Sequence, residues 1–324
     1  MIPPKSNRVE PREYVRHTRE RLDSILLERA REAGATIVQP TSAETLQEIE
    51  GGFLCGIRDP DTRSTSELQS RIVVLAHGSW DRSGLPSQCV RAAAQPGDLL
   101  AFKAHFVGGS LPRGLMPLMA FAGGYGGMVH ADQGRFSVSC CVRRDLLDRI
   151  RSGHPGCDAG EAVQAHLCES MRGFREALMG AERVGPWLAA GPIQPGIRMN
   201  WRPGLYPIGN VAGEAHPVIA EGISIAMQSA WLLVQELLRS GDDSFGLKQV
   251  GERYAVRYRR AFVPRLRASA AIARWAMSPL AMTGSLPFIR LFPRLLTWGA
   301  RLSGKVNRVV KLTSTANLLM VPSV

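Results

Sequence analysis

The chain has 324 residues, of which 45% are hydrophobic and 21% charged, an ordinary globular composition with ample material for a core. Six cysteines show no C-x-x-C spacing and the seven histidines stand apart, which argues against zinc, thioredoxin and metal chemistry. The formal net charge is +12, but no DNA- or RNA-binding motif accompanies it and aromatics make up only 6%, so nucleic acid is not the expected partner.

In chain order, Tyr14 to Ala33 reads as an amphipathic helix, with Leu22, Ile25, Leu26 and Ala30 at helical spacing and Gly34 as its stop. A short strand over Ala35 to Val38 follows. Ala43 to Leu75 reads as a β-meander turning at Glu50-Gly51-Gly52 and Asp59-Pro60-Asp61. Its last strand, Arg71 to Ala76, is a continuous apolar run suited to a buried parallel sheet, and ends in His77-Gly78-Ser79-Trp80. Strands are predicted over Asp98 to Val107, Gly114 to Phe121, Gly124 to His130 and Gly134 to Arg143, then one helix over Asp158 to Met179 and a strand over Gly191 to Met199. Met1 to Arg21 lacks the apolar segment of a secretory leader.

Tyr206 to Trp231 carries the most specific signal: a strand ends at Ile208 and Gly209, a loop of small residues follows, and a helix starts near Glu221 or Gly222, running to Leu238. Small residues let a ligand lie against the backbone, and free N–H groups at a helix start favour a pyrophosphate or an electron-rich ring oxygen. From Leu247 to Leu312 the chain reads as Pro-punctuated helix, with no apolar run long enough to span a membrane.

The stretch resembles the second FAD-binding motif of flavoprotein hydroxylases and, more closely, of geranylgeranyl reductases, G-D-A-A-G-x-x-x-P-x-x-G-E-G-I-x-x-A-M-x-S-G. Gly209, Ala212, Gly213, Pro217, Glu221, Gly222, Ile223, Ala226, Met227 and Ser229 fall in register; Asn210, Ala220 and Ala230 depart from it. Weaker likenesses join it: Arg19, Asp23, Leu26 or Leu27, Ala30, Gly34 and Ala35 match a family helix, and Gly123-Gly124-Tyr125-Gly126-Gly127 is similar to a G-G-Y-G-W segment of the substrate domain. His77 stands where relatives carry Asp or Thr, in a segment that passes the cofactors.

The resemblance implies an α/β fold: a Rossmann-like FAD-binding domain over 1–80 and 191–245, an antiparallel-sheet substrate domain over 81–190, and a helical tail over 246–324. It implies an FAD-dependent oxidoreductase that takes reducing equivalents from NAD(P)H and reduces or hydroxylates a small hydrophobic, isoprenoid-like or aromatic molecule. Arg19, Gly209, Asn210, Pro217, Glu221, Gly222 and Ile223 are the implied cofactor-binding residues. No general acid or base is implied, and cytoplasmic placement is expected.

The family's first motif, G-x-G-x-x-G, does not occur in these 324 residues. If the family's first strands precede Met1, the flavin domain is incomplete, strand Ile72 to Leu75 exposes an unpaired edge, and FAD binds poorly. The alternatives are a truncated non-catalytic remnant or a peripheral-membrane protein using the basic tail. The tail's arginines alternate with Phe262, Leu266, Ile272, Trp275, Phe288, Leu291 and Trp298. That pattern is expected to pack mainly on the protein and to give weak, salt-sensitive membrane contact. The W-x-W motif of flavin halogenases and the G-x-S-x-G elbow of hydrolases are absent.

Overall fold

The computed structural model describes residues 19–79, 85, 93–131, 133–240 and 246–292, with the backbone alone at 19, 20, 279, 282, 286 and 288–290. Helix α1 (Arg19–Glu32) leads into an antiparallel sheet of β1 (Ser42–Ile49), β2 (Gly52–Arg58) and β3 (Thr65–Ser70), in that order. This sheet is thinly covered: every β3 residue is exposed, and Phe53 on β2 is its buried anchor. Residues 35–38 form no strand. With no neighbouring strand among the described residues to take its hydrogen bonds, an apolar Thr-Ile-Val run stays irregular.

β4 (Val73–Leu75) leaves the meander and pairs in parallel with β11 (Leu205–Pro207), Tyr206 opposite Val74, in a two-stranded sheet. Val73 N–H bonds to Gly204 O and Ile208 N–H to Leu75 O. In a parallel ladder alternate residues face opposite edges, so the backbone of Val74 faces the side where no strand pairs among the described residues. Val74 is 44% exposed.

The larger sheet has the order β6 (Leu118–Phe121), β7 (Gly124–His130), β8 (Arg135–Arg143), β5 (Leu99–Gly108), β9 (Ala181–Ile193), all antiparallel. Alternation in β8 puts Phe136, Val138, Cys140 and Val142 on one face. Helices α2 (Arg144–Gly153), α3 (Ala159–Ser170) and α4 (Arg172–Ala177) close that face with Leu147, Ile150, Val163, Leu167 and Phe174. The single helix expected over 158–179 is broken at Met171, whose φ of −128° and ψ of 101° are extended. The break lets Phe174 and Ala177 turn into the core, and Gly173 beyond it holds helix weakly. An Asp158–Glu161 capping box starts α3.

The chain then passes through β10 (Gly196–Ile197), β11, a short helix α5 (Gly209–Ala212) and β12 (Gly213–Glu214), which pairs with β10. A 3₁₀ turn (Pro217–Ile219) leads to α6 (Gly222–Ser240), then α7 (Gly246–Ala276) and α8 (Pro279–Leu291). Val250, Tyr254, Tyr258, Phe262 and Leu266 on α7 pack against Ile225, Leu232 and Leu233 of α6. Pro264 leaves α7 unbroken; it is exposed, so the carbonyl it cannot bond faces water. Tyr206 donates to Leu247 O at 2.7 Å, and Tyr254 donates to Pro207 O at 2.9 Å, so β11 and α7 exchange hydrogen bonds. The C-terminal end of α7 covers the other face of the large sheet, where Ala273, Ala276 and Trp275 meet Leu99, Tyr125, Cys141 and Ile193.

Candidate functional site

The motif residues sit at the C-terminal end of β11, where a parallel strand hands over to a helix. Gly209 turns there with φ +58°, and a Cβ on it would lie 3.2 Å from that of Ala226. A side chain at Gly209 is therefore both strained and crowded. Its N–H donates to Ser229 Oγ at 2.9 Å, and Ser229 donates to Ala226 O at 2.8 Å. Gly209, Ala226 and Ser229 thus fasten the end of β11 to α6.

Asn210 is half-buried on α5; its backbone carbonyl accepts from Arg198 Nη2 at 2.8 Å. The same nitrogen lies 3.3 Å from Glu214 Oε2, and Gln194 N–H reaches that oxygen at 3.4 Å. Ser79 Oγ donates to Glu214 Oε1 at 3.2 Å, which brings the His77-Gly78-Ser79 turn against the motif loop. Burial pushes the Glu214 carboxyl above its ordinary value, opposed by the charge and hydrogen bonds of Arg198. A raised carboxyl contributes stability below its unfolded value and loses it as pH rises through the folded one.

Pro217 is exposed at the start of the 3₁₀ turn, and Ala220 follows with φ +51° and ψ +40°, a left-handed conformation for a residue with a Cβ. Glu221 O accepts the N–H of Ile225, the first helical bond of α6, so the amides of Gly222, Ile223 and Ser224 stand ahead of it. The Glu221 carboxylate turns inward and lies 3.5 Å from Arg265 of α7, with both side chains almost wholly buried. Arg265 also donates to Gln228 at 3.0 Å and lies over the Phe262 ring. Gly222 and Ile223 are exposed, and a Cβ on Gly222 would meet nothing within 4 Å. Space beside the helix start therefore lies open to a ligand.

Buried polar atoms without hydrogen-bond partners gather around this loop: Glu221 Oε2, His216 Nδ1 and Tyr125 Oη. Tyr125 Oη lies by Cys141 and the Val218 backbone without meeting hydrogen-bond geometry with either; burial raises the phenol well above its ordinary value and keeps it protonated. Burial, then the charge of Arg274, lowers His216. The glycines flanking Tyr125 make room for the protein itself. A Cβ at Gly124 would strike the Phe121 ring, and one at Gly126 would strike Ser139 O and Cys140. No cluster of His, Cys, Asp or Glu suited to a metal ion occurs among the described residues.

Gly209, Asn210, Pro217, Glu221, Gly222 and Ile223 all fall on this one strand–loop–helix unit. Arg19 opens α1, none of whose described side chains is buried, and its own side chain lies outside the described residues. Sequence reasoning missed Arg198, Glu214 and Arg265. A signal existed for Arg265, which falls at helical spacing on the apolar stripe of α7 that contains Tyr258 and Phe262.

No protein-family model matches the chain, and no curated protein matches it. Solved structures share its fold. CmlS, a flavin-dependent halogenase, is 17% identical with a TM-score of 0.64, over 91% of this chain and 56% of its own. The myxobacterial chondrochloren halogenase CndH is 20% identical with a TM-score of 0.65, over 88% and 68%. A geranylgeranyl bacteriochlorophyll reductase-like protein from Thermoplasma acidophilum is 14% identical with a TM-score of 0.62, over 88% and 75%. The chain thus spans a little over half the length of the first and about two thirds to three quarters of the others. Its α/β architecture, with an antiparallel sheet beside a Rossmann-like part, is that of the FAD-dependent halogenases, monooxygenases and reductases.

Proposed function

We propose that the chain is the flavin-facing part of an FAD-dependent oxidoreductase acting on a small hydrophobic, isoprenoid-like or aromatic molecule, with NAD(P)H as reductant. One observation carries this function: the matched motif folds into a strand end, tight turn and helix start at which a Cβ on Gly222 would meet nothing within 4 Å. An electron-rich ring edge fits there, since the helix start supplies partial positive charge and the nearest carboxylate, Glu221, is turned away onto Arg265. Flavin, when bound, supplies the redox chemistry. The chain's residues hold the ring edge, and the large sheet packs with the end of α7 in an apolar cluster around Tyr125 and Cys141. The division into 1–80 with 191–245, 81–190 and 246–324 belongs to the same proposal, as do cytoplasmic placement and a weak membrane contact through exposed Arg259, Arg260, Arg267 and Arg274. No helix among the described residues is long and apolar enough to cross a membrane. Halogenation is not favoured, because W-x-W is missing.

A pyrophosphate gains charge-assisted bonds from a glycine loop that these residues do not contain, so FAD should bind weakly. Titration of FAD against flavin fluorescence tests this. Gly222→Ala, whose Cβ meets no described protein atom within 4 Å, should weaken binding about tenfold without moving Tm, whereas Asn210→Asp should tighten it by restoring a charged acceptor. Absence of saturable binding, or equal affinity in all three proteins, removes the flavin assignment. A second reading, a non-catalytic relative, is favoured by the missing fingerprint; it predicts no NAD(P)H oxidation even with FAD bound.

A further inference from the structure

Among the described residues, one side of α6 is apolar and uncovered. Its exposed large side chains are Ile223 (45%), Met227 (52%), Trp231 (39%), Val234 (46%) and Leu238 (71%), and no charged residue is exposed between the first and the last. Solvent-facing helix sides are ordinarily polar. Each of these residues follows the last by three or four positions, the spacing that aligns side chains along one side of a helix.

The order of the stripe says what covers it. Read from either end, it is nearly the same about Trp231: Ile223 balances Leu238, and Met227 balances Val234. An antiparallel helix of the same sequence therefore meets it residue for residue, with the two tryptophans at the axis, as a two-fold interface requires. A lipid surface is a poorer fit, because interfacial helices carry Lys and Arg along their flanks. Here the nearest exposed cation on α6 is Arg239, beyond the stripe and tied to Glu236.

We propose that the Ile223–Leu238 face of α6 is the interface of a homodimer, formed by antiparallel packing of α6 against α6 of a second copy. The seam takes in Ile223 beside the proposed flavin site, so it is tested on the chain without added FAD. Large side chains about half covered already bury about 100 Å² more each, so the seam buries roughly 1,000 Å² in total, at the low end of specific interfaces. The dimer should accordingly be of micromolar strength. Each chain carries a formal charge of +12, so screening by salt should strengthen the dimer, whereas it weakens contact with anionic lipid.

Sedimentation velocity over a concentration series, at low and high salt, tests the proposal. The expected result is a shift from 35.3 kDa to twice that mass with rising concentration, favoured by high salt. Met227→Glu and Leu238→Glu should each weaken dimerisation at least about tenfold. Their far-UV circular dichroism should match the wild type, and either variant alone suffices if the other misfolds. A chain that stays monomeric at high concentration overturns the proposal, as expected if a strand-bearing partner that pairs with Val74 covers α6 instead. A dimer that survives both substitutions, or monomers that bind anionic vesicles through Trp231, overturns it too.

Discussion

The large sheet and the β4–β11 unit solve the same problem unequally. The sheet is covered on one face by α2, α3 and α4 and on the other by the end of α7, so Phe136, Val138 and Val142 are wholly buried. Among the described residues, the β4–β11 unit has two strands and a helix covered on one side only. Stability in the first comes from packed apolar area. In the second it rests on a few polar ties: Ser229 to Gly209, Arg265 to Glu221, and three arginines on Glu236. The half that carries the motif is thus held by specific bonds rather than by bulk burial, and the two halves should respond differently to substitution.

The largest effect is expected in the sheet. Phe136→Ala removes a ring stacked 5.5 Å from Phe106 and should cost about 3–5 kcal/mol in urea unfolding, whereas Leu238→Ala on monomer should stay within about 0.5 kcal/mol. Near-equal losses would erase the contrast. Arg265→Met leaves Glu221 charged, buried and alone, and should cost about 3 kcal/mol or more. Adding Glu221→Gln should recover most of it, so a fully additive double variant would show that the pair does not act as a unit.

Glu236 sharpens the comparison through pH. Its side chain is 1% exposed and lies 2.8, 2.9 and 2.5 Å from Arg239, Arg253 and Arg257. Burial alone would raise the carboxyl, but the hydrogen bonds from Arg257 and Arg253, with the charges of Arg257 and Arg239, hold it below its ordinary value. A depressed carboxyl contributes stability that is complete above its unfolded value and is lost as pH falls through the folded one. Glu236→Gln should therefore cost about 2 kcal/mol at neutral pH, much less in acid, and flatten the acid limb of Tm against pH. An unchanged acid limb would place that limb elsewhere. The smallest effect is a gain: Ala220→Gly relieves a left-handed alanine and should add about 1 kcal/mol of stability.

Legibility in the sequence followed the same division. Strand β7 was read to its ends because turn glycines bracket it, and the start of α6 was read to within a residue because the motif fixes it. Helix α2 was missed because it continues from β8 through Arg143-Arg144-Asp145 with no turn residue between. Strand β9 was missed over 181–190 because Gly185, Pro186 and Gly191 read as breakers, although in the sheet they are absorbed by register shifts against β5. At the site, the glycines and small residues were legible as a pattern. Their partners were not: Arg198 and Arg265 reach the loop from other elements, and no local spacing announces such a contact.

The crossed tyrosine bonds between β11 and α7 bear on the order in which the molecule is made. Tyr206 needs the carbonyl of Leu247, and Pro207 offers its carbonyl to Tyr254, so the strand that launches the motif loop is completed by chain synthesised later. Arg265, which holds Glu221 in place, comes later still. A nascent chain cut after α6 would contain every residue of the motif yet lack the scaffold that gives the loop its shape. The growing chain must therefore carry that loop, and the side of α6 that bears Ile225, Leu232 and Leu233, unsupported on the ribosome until α7 has emerged.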